Sequence, residues 1–188
     1  MHWPFCLSKC PYCDFNSHLA DQIEIADWQQ AMLSELSHMA RFYSEKSGLA
    51  PADISLDTIF FGGGTPSLMP AELVEAIIDK AIGLFSATPH IEITAEANPT
   101  SVETAKIADF AAAGVNRLSV GVQSLDKAGL SFLGREHSPD DALYALDIAQ
   151  SHLRRVSCDM IYGLPDQTEA QWQSQLEQLL ARQLSHVS

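Results

Sequence analysis

Asp57-Thr-Ile-Phe-Phe-Gly-Gly-Gly-Thr-Pro66 reads as a strand running into a turn. Asp57–Phe61 is short, apolar and partly β-branched, and Gly62-Gly63-Gly64 stops it. A helix is predicted from Pro70 to about Phe85, with Pro70 as its first-turn proline. The same strand, turn and helix pattern recurs downstream. Ile91–Glu96 is the next strand, and Thr100-Ser-Val-Glu103 has the spacing of a capping box, opening a helix that ends near Gly114. Asn116–Val120 is a third strand, closed by Gly121. Ser138-Pro-Asp-Asp141 opens a helix to about His152, and Arg155–Ile161 is a fourth strand. Thr168-Glu-Ala-Gln171 caps a helix to about Gln183, and His186–Ser188 starts another strand. Upstream, a long helix from about Ala20 to Glu45 carries Ile25, Trp28, Met32, Leu36, Met39 and Phe42 on one face, which is expected to be buried.

Alternating strands and helices imply an α/β fold with parallel strands and right-handed crossovers. The strands are mostly apolar, as expected when both sheet faces are covered. In such folds ligands gather at the carboxyl ends of the strands. Gly62–Thr65, Glu96, Asn98, Gln123, Asp159 and Tyr162 all fall there. The chain starts almost on a cysteine loop and stops inside an apparent strand, so it reads as a fragment of something longer.

That loop is Cys6-Leu-Ser-Lys-Cys10-Pro-Tyr-Cys13. Three thiolates at this spacing suit three irons of a [4Fe–4S] cluster and leave one coordination site open. A structural zinc is the competing reading, with His2, His18 or the distant Cys158 as fourth ligand. A chance cluster of three thiols is the third. Cys158 lies in an apolar strand and is expected to be a small core hydrophobe. Asp159, next to it, should face the opposite way, toward the interior or mouth of the sheet.

Bulk properties narrow the function. Of 188 residues, 46% are hydrophobic and 19% charged, which suits one well-cored globular domain. A net charge of −13 argues against non-specific binding to nucleic acid or anionic membrane. No apolar run is long enough for an integral membrane segment, and the N-terminus has no signal-peptide pattern. The expected location is therefore cytoplasmic, where clustered cysteines more often bind metal than form disulfides.

Seven motifs occur in order: Trp3-Pro-Phe-Cys6, Cys10-Pro-Tyr-Cys-Asp-Phe-Asn-Ser-His18, Phe61-Gly-Gly-Gly-Thr-Pro-Ser67, Glu96-Ala-Asn-Pro99, Arg117-Leu-Ser-Val-Gly-Val-Gln-Ser124, Leu133-Gly-Arg135 with His137, and Asp159-Met-Ile-Tyr-Gly-Leu-Pro165. Together they resemble the radical S-adenosylmethionine (SAM) superfamily. Within it they resemble the oxygen-independent coproporphyrinogen III oxidase family, and most closely its HemW-type heme chaperone branch. The resemblance implies a TIM-like (β/α)6 barrel, here partial, with residues 1–188 as an incomplete core domain and the C-terminal part missing. It implies that Cys6, Cys10 and Cys13 hold a [4Fe–4S] cluster whose open iron takes the amino and carboxylate groups of SAM. In the superfamily, an electron from the cluster then splits the sulfonium to give a 5′-deoxyadenosyl radical.

The backbone of Gly62–Pro66, with Gly63, Gly64 and Thr65 at its centre, would hug the amino end of SAM. Glu96 would pair with its cationic or hydroxyl-bearing part. Gln123, Arg135 and Asp159 match polar positions that the oxidase uses for SAM. Arg135 suits a carboxylate, of SAM or of a porphyrin propionate. Tyr12 would stack on the adenine or pack the loop. His2, His18 and His137 could bind heme iron, though lone histidines are more often structural. In the oxidase another cysteine lies two positions past the third; here that residue is Phe15. The departure favours a heme chaperone, with heme as cargo, a recipient hemoprotein and an electron donor as partners, over porphyrinogen decarboxylation.

Overall fold

The computed structural model describes residues 1–19 and 23–188. Among them, six parallel strands form one sheet in the order β1 (His2–Trp3), β4 (Ser55–Gly63), β5 (Ser86–Ala97), β6 (Arg117–Gln123), β7 (Arg155–Met160) and β8 (His186–Val187). Sequential strands are spatial neighbours from β4 onward, as right-handed crossovers require. A second parallel pair, β2 (Phe5–Cys6) and β3 (His18–Leu19), ties off the base of the cysteine loop.

Among the described residues, helices cover one face of the sheet. Ile59, Phe61, Ile93, Ala95, Leu118, Val120, Val156 and Cys158 point into a core shared with α2 (Ala71–Leu84), α4 (Ile107–Ala112), α6 (Pro139–His152) and α7 (Glu169–Leu180). The alternate residues are Glu92, Thr94 and Glu96 on β5, Arg117 and Ser119 on β6, and Arg155, Ser157 and Asp159 on β7. The strands therefore alternate in polarity, and the expectation of two covered faces is corrected. The inner face is polar because it lines a cavity and its groups bond to one another. Ser119 Oγ and Ser157 Oγ are 2.9 Å apart, Arg117 donates to Ser157 Oγ at 3.1 Å, and Arg155 pairs with Glu92 at 2.8 Å.

Several element ends differ from expectation for identifiable reasons. β4 continues through Gly62 and Gly63, because β1 pairs with them in register. Pro70 is the cap before α2 and lies outside its first turn. β6 passes Gly121 and ends at Gln123, across a bulge where two steps on β6 match one on β7. The helix expected from Thr100 to Gly114 is broken into α3 (Ser101–Thr104) and α4. The capping box predicted at Thr168 forms, and the helix predicted to open at Ser138 does so through a capping box as well. A helix that the sequence pattern missed, α5 (Lys127–Phe132), is six residues long and too short to show a period. The long helix is α1 (Ile25–Ser47); the Ala20 start falls on residues outside those described. Its stripe is only half-buried and Phe42 is exposed, while Trp28 meets Trp3 and Phe5 edge-on at 6.1 and 5.0 Å.

The N-terminal segment sits on β4 where side chains are absent. A Cβ on Gly63 would lie 2.5 Å from the His2 ring and 2.8 Å from Trp3 O, with φ at +122°. Gly63→Ala is therefore expected to cost about 2–4 kcal/mol, through strain and the displaced strand. Gly83→Ala, with open space around its Cβ near the end of α2, should be neutral or stabilise by up to about 1 kcal/mol. Urea denaturation midpoints of the two variants check the contrast.

Candidate functional site

A cavity of about 520 Å³ opens at the carboxyl ends of the strands, within the roughly 300–1,000 Å³ typical of small-molecule sites. Cys6, Cys10, Tyr12 and Cys13 line it from the loop between β2 and β3. Gly63, Gly64 and Thr65 line it after β4, Glu96 at the end of β5, Gln123 at the end of β6, Arg135 after α5 and Asp159 near the end of β7. The eleven residues assigned to cluster and SAM thus face one space and Asn98 joins them, while Tyr162, also expected at the strand ends, lies outside the lining, exposed beside Trp172. Strand alternation explains the facing of Asp159: Cys158 is fully buried among helix-facing apolar groups, and Asp159 points the other way.

Gly62, Gly64 and Thr65 donate their backbone amides to the carbonyls of Met1, Trp3 and Phe5 at 3.0, 2.6 and 2.8 Å. With the Gly63 amide directed at Glu96, the turn's amides are spent within the chain, and its carbonyls and the Thr65 hydroxyl are the polar groups it offers a ligand. Gln123 has φ of +67°, uncommon for a residue with a side chain, and the bulge re-aims it into the cavity.

Glu96 and Asp159 face the space from the strand ends. Burial raises the Glu96 carboxyl above the ordinary range; a hydrogen bond from the Gly63 amide opposes this, and the neighbouring Asp159 charge adds to it. Asp159 accepts from Ser119 Oγ at 2.8 Å. Opposite them, Arg135 spends Nη2 on Asn98 Oδ1 at 2.6 Å and on Gly121 O at 2.8 Å, and aims Nη1 at Cys10 Sγ at 3.5 Å. Its Nε is buried without a partner, a donor with nothing yet to bind. Tyr12 is 41% exposed and stands beside both Cys10 and Arg135; partial burial pushes its hydroxyl up to about 12.

Sequence reasoning missed Glu103. Its pattern says capping box, yet the side chain is 2% exposed and lines the cavity. Thr100 does cap Glu103 N, but the Glu103 carboxylate accepts from Asn98 N at 2.8 Å and from the Ser67 hydroxyl, leaving the cap backbone aside. Of the three histidines weighed for heme iron, His2 donates Nε2–H to Asn16 O at 3.1 Å and His18 is exposed in β3. His137 is buried, with Nε2–H donating to Val122 O at 3.1 Å, so that nitrogen is already committed.

The donor set fits an iron–sulfur cluster better than a single ion. All four cysteines are free thiols, and the three of the loop are half-buried at the cavity wall. Among the described residues no three His, Cys, Asp or Glu side chains converge on one ion. A cubane takes one thiolate at each of three irons and needs them spread around one space. Cys158, offered as a zinc ligand, lies on the wrong side of the sheet.

A parallel α/β sheet with a three-thiol loop over its strand ends defines a cluster-and-cofactor barrel class, and comparison with known proteins identifies it. The Radical SAM superfamily model matches residues 1–179, and the chain belongs to that superfamily, whose cofactors are a [4Fe–4S] cluster and SAM. The chain is 37% identical over its whole length to heme chaperone HemW of Escherichia coli (strain K12), covering 48% of that protein. It is 40% identical to the mitochondrial radical S-adenosyl methionine domain-containing protein 1 of Bos taurus, covering 41% of it. Among solved structures, coproporphyrinogen III oxidase (HemN) from Escherichia coli, a radical SAM enzyme, superposes with a TM-score of 0.81 at 26% identity, over 99% of this chain and 42% of that one. The chain thus spans less than half the length of these relatives, as a partial barrel does. No helix among the described residues is long and apolar enough to cross a membrane.

Burial, with the Arg135 charge assisting, lowers His137 to about 4. The unfolded chain takes up this proton near pH 6.5 and the folded chain only near pH 4. Stability is therefore expected to fall as pH drops from about 6.5 to about 4, by on the order of 2 kcal/mol from this residue. Urea melts across that range should show the slope, and His137→Gln should flatten it.

Proposed function

We propose that the chain is the radical SAM core of a heme chaperone, which binds heme and passes it to a hemoprotein. The observation that carries the cofactor half is the convergence of three free thiols, two carboxylates and one under-satisfied arginine on a single strand-end cavity. In this reading Cys6, Cys10 and Cys13 ligate the cluster and leave one iron open. A hard amino and carboxylate pair completes a shell that soft thiolates leave unfilled. When bound, the cluster supplies one electron to the sulfonium of SAM. The chain's residues orient and shield. The carbonyls of Gly63 and Gly64 and the carboxylates of Glu96 and Asp159 receive the cationic parts of SAM. Arg135, with Nε still free, takes its carboxylate, and Gln123 supplies a neutral contact. Tyr12 closes one wall.

The cargo half rests on similarity. The relatives named as heme chaperones match at 33–37% identity, against 26% for the oxidase structure. Phe15 stands where the oxidase carries a further cysteine. It is 64% exposed at the cavity rim, near the exposed Leu7, and an apolar rim suits a porphyrin face. The second reading is an oxygen-independent coproporphyrinogen III oxidase, favoured by the close superposition on that enzyme. Both readings call for a low-potential electron donor, and free thiols suit the reducing cytosol.

Anaerobic reconstitution with iron and sulfide should load about four irons per chain. Cys10→Ser should abolish loading and Cys158→Ser should not; uptake of zinc alone would overturn the cluster. Full-length protein with reduced cluster and SAM, offered coproporphyrinogen III, separates the two readings. Tight heme binding without turnover supports the chaperone, and conversion to protoporphyrinogen overturns it.

A further inference from the structure

The contact between Arg135 and Cys10 has a structure behind it that SAM binding alone does not require. It begins at Glu103, a buried carboxylate with donors from Ser67, from Thr100 Oγ1 at 3.2 Å and from Asn98 N at 2.8 Å. These bonds fix the backbone of Asn98 at the mouth of β5. The Asn98 side chain is fixed next, with Nδ2 directed to Thr65 Oγ1 at 3.4 Å and Oδ1 to Arg135. Arg135 Nη2 is thus clamped between Asn98 Oδ1 and Gly121 O, which leaves Nη1 directed at Cys10 Sγ. A second contact brings the two loops together independently. Gly134 has φ of +63°, and a Cβ there would lie 2.8 Å from Cδ of Pro11, the residue after Cys10. The loop after α5 therefore presses on the cysteine loop where a side chain would keep them apart.

We propose that Arg135 tunes the cluster: held by Glu103 and Asn98, its guanidinium donates a hydrogen bond to the Cys10 thiolate and raises the cluster's reduction potential. The proposal rests on the assignment of Cys10 as a cluster ligand made above. The sign follows from charge. Reduction adds one electron, taken from an external low-potential donor, and makes the cluster more negative. A fixed cation at one thiolate stabilises that state more than the oxidised one, and hydrogen bonds to cluster sulfurs act in the same direction. The partly buried site weakens solvent screening, so the effect is felt at the metal.

The test is a redox titration of the full-length, anaerobically reconstituted protein, with dithionite as electron donor and the reduced cluster followed by electron paramagnetic resonance. SAM is left out, so that any role of Arg135 in binding it does not enter. At a fixed poise, Arg135→Gln should raise the oxidised-to-reduced ratio about tenfold, which is ~59 mV for a one-electron couple. Arg135→Lys keeps the charge without the fork and should recover part of the shift. Asn98→Ala should move it the same way by less, because Gly121 O still holds Nη2. An unchanged midpoint in Arg135→Gln at full iron content overturns the proposal and leaves the cluster assignment standing. If Arg135→Gln cannot hold the cluster, Arg135→Lys and Asn98→Ala decide, and midpoints equal to wild type in both overturn it. Failure of the wild-type protein to take up iron overturns the cluster assignment, and the tuning role with it.

Discussion

The site depends on one constraint: the first residues of the chain lie flat against Gly62–Thr65. Three amides of that turn bond to the carbonyls of Met1, Trp3 and Phe5, and the spacing tolerates no side chain at Gly63 or Gly64. The chain then leaves β2 directly into the cysteine loop, so the thiols arrive at the strand ends and not at the opposite rim of the sheet. Trp3, Phe5 and Trp28 stack edge-on behind this seam and hold α1 across it. Two-residue strands would not hold such a segment alone. Backbone pairing sets its register, and the aromatic trio supplies the buried area.

From that placement the electrostatics follow. A zwitterion with a sulfonium has two positive groups and one negative. The cavity offers Glu96 on β5 and Asp159 on β7, with β6 between them, together with Arg135 and the glycine turn. The polar inner face keeps these charges oriented. Ser119 bridges Asp159 to Ser157, and Arg117 reaches Ser157 and Thr94 at 3.1 and 3.4 Å. A buried carboxylate without such partners would take up a proton and lose its use. The sheet thus gives up apolar packing on one face for a lining that holds charge in place.

Much of this was legible in the sequence, for physical reasons. Strand-to-helix alternation is a local pattern, and in parallel sheets it fixes which end of each strand carries the ligand groups. Glu96, Gln123 and Asp159 could therefore be placed together before any coordinates. The opposed facing of Cys158 and Asp159 follows from the period of two. Less legible were features without a period. β1 and β2 have two residues each, and α5 has six. Gly62 and Gly63 read as a turn because glycine is the usual breaker, yet here it is the residue that lets two backbones approach. The apolar strands suggested two covered faces, because Ile59, Phe61, Leu118, Val120 and Val156 outweigh the serines and threonines between them.

Glu103 shows where local and tertiary signals compete. A threonine followed three residues later by glutamate is the signature of a helix start, and Thr100 does cap the helix. The glutamate of a capping box reaches back to the cap's own amide, Thr100 N, but here it goes two residues further, to Asn98 N. Asn98 N lies nearer the end of β5, where the chain leaves the sheet and needs a partner for its donor. The helix itself is short: α3 stops after Thr104, and the chain restarts at Ile107. The Glu103 contacts fix Asn98, which in turn holds Arg135 toward the cysteine loop. A carboxylate that local pattern assigns to a helix start thus holds the geometry of the cavity, and only the fold reveals it.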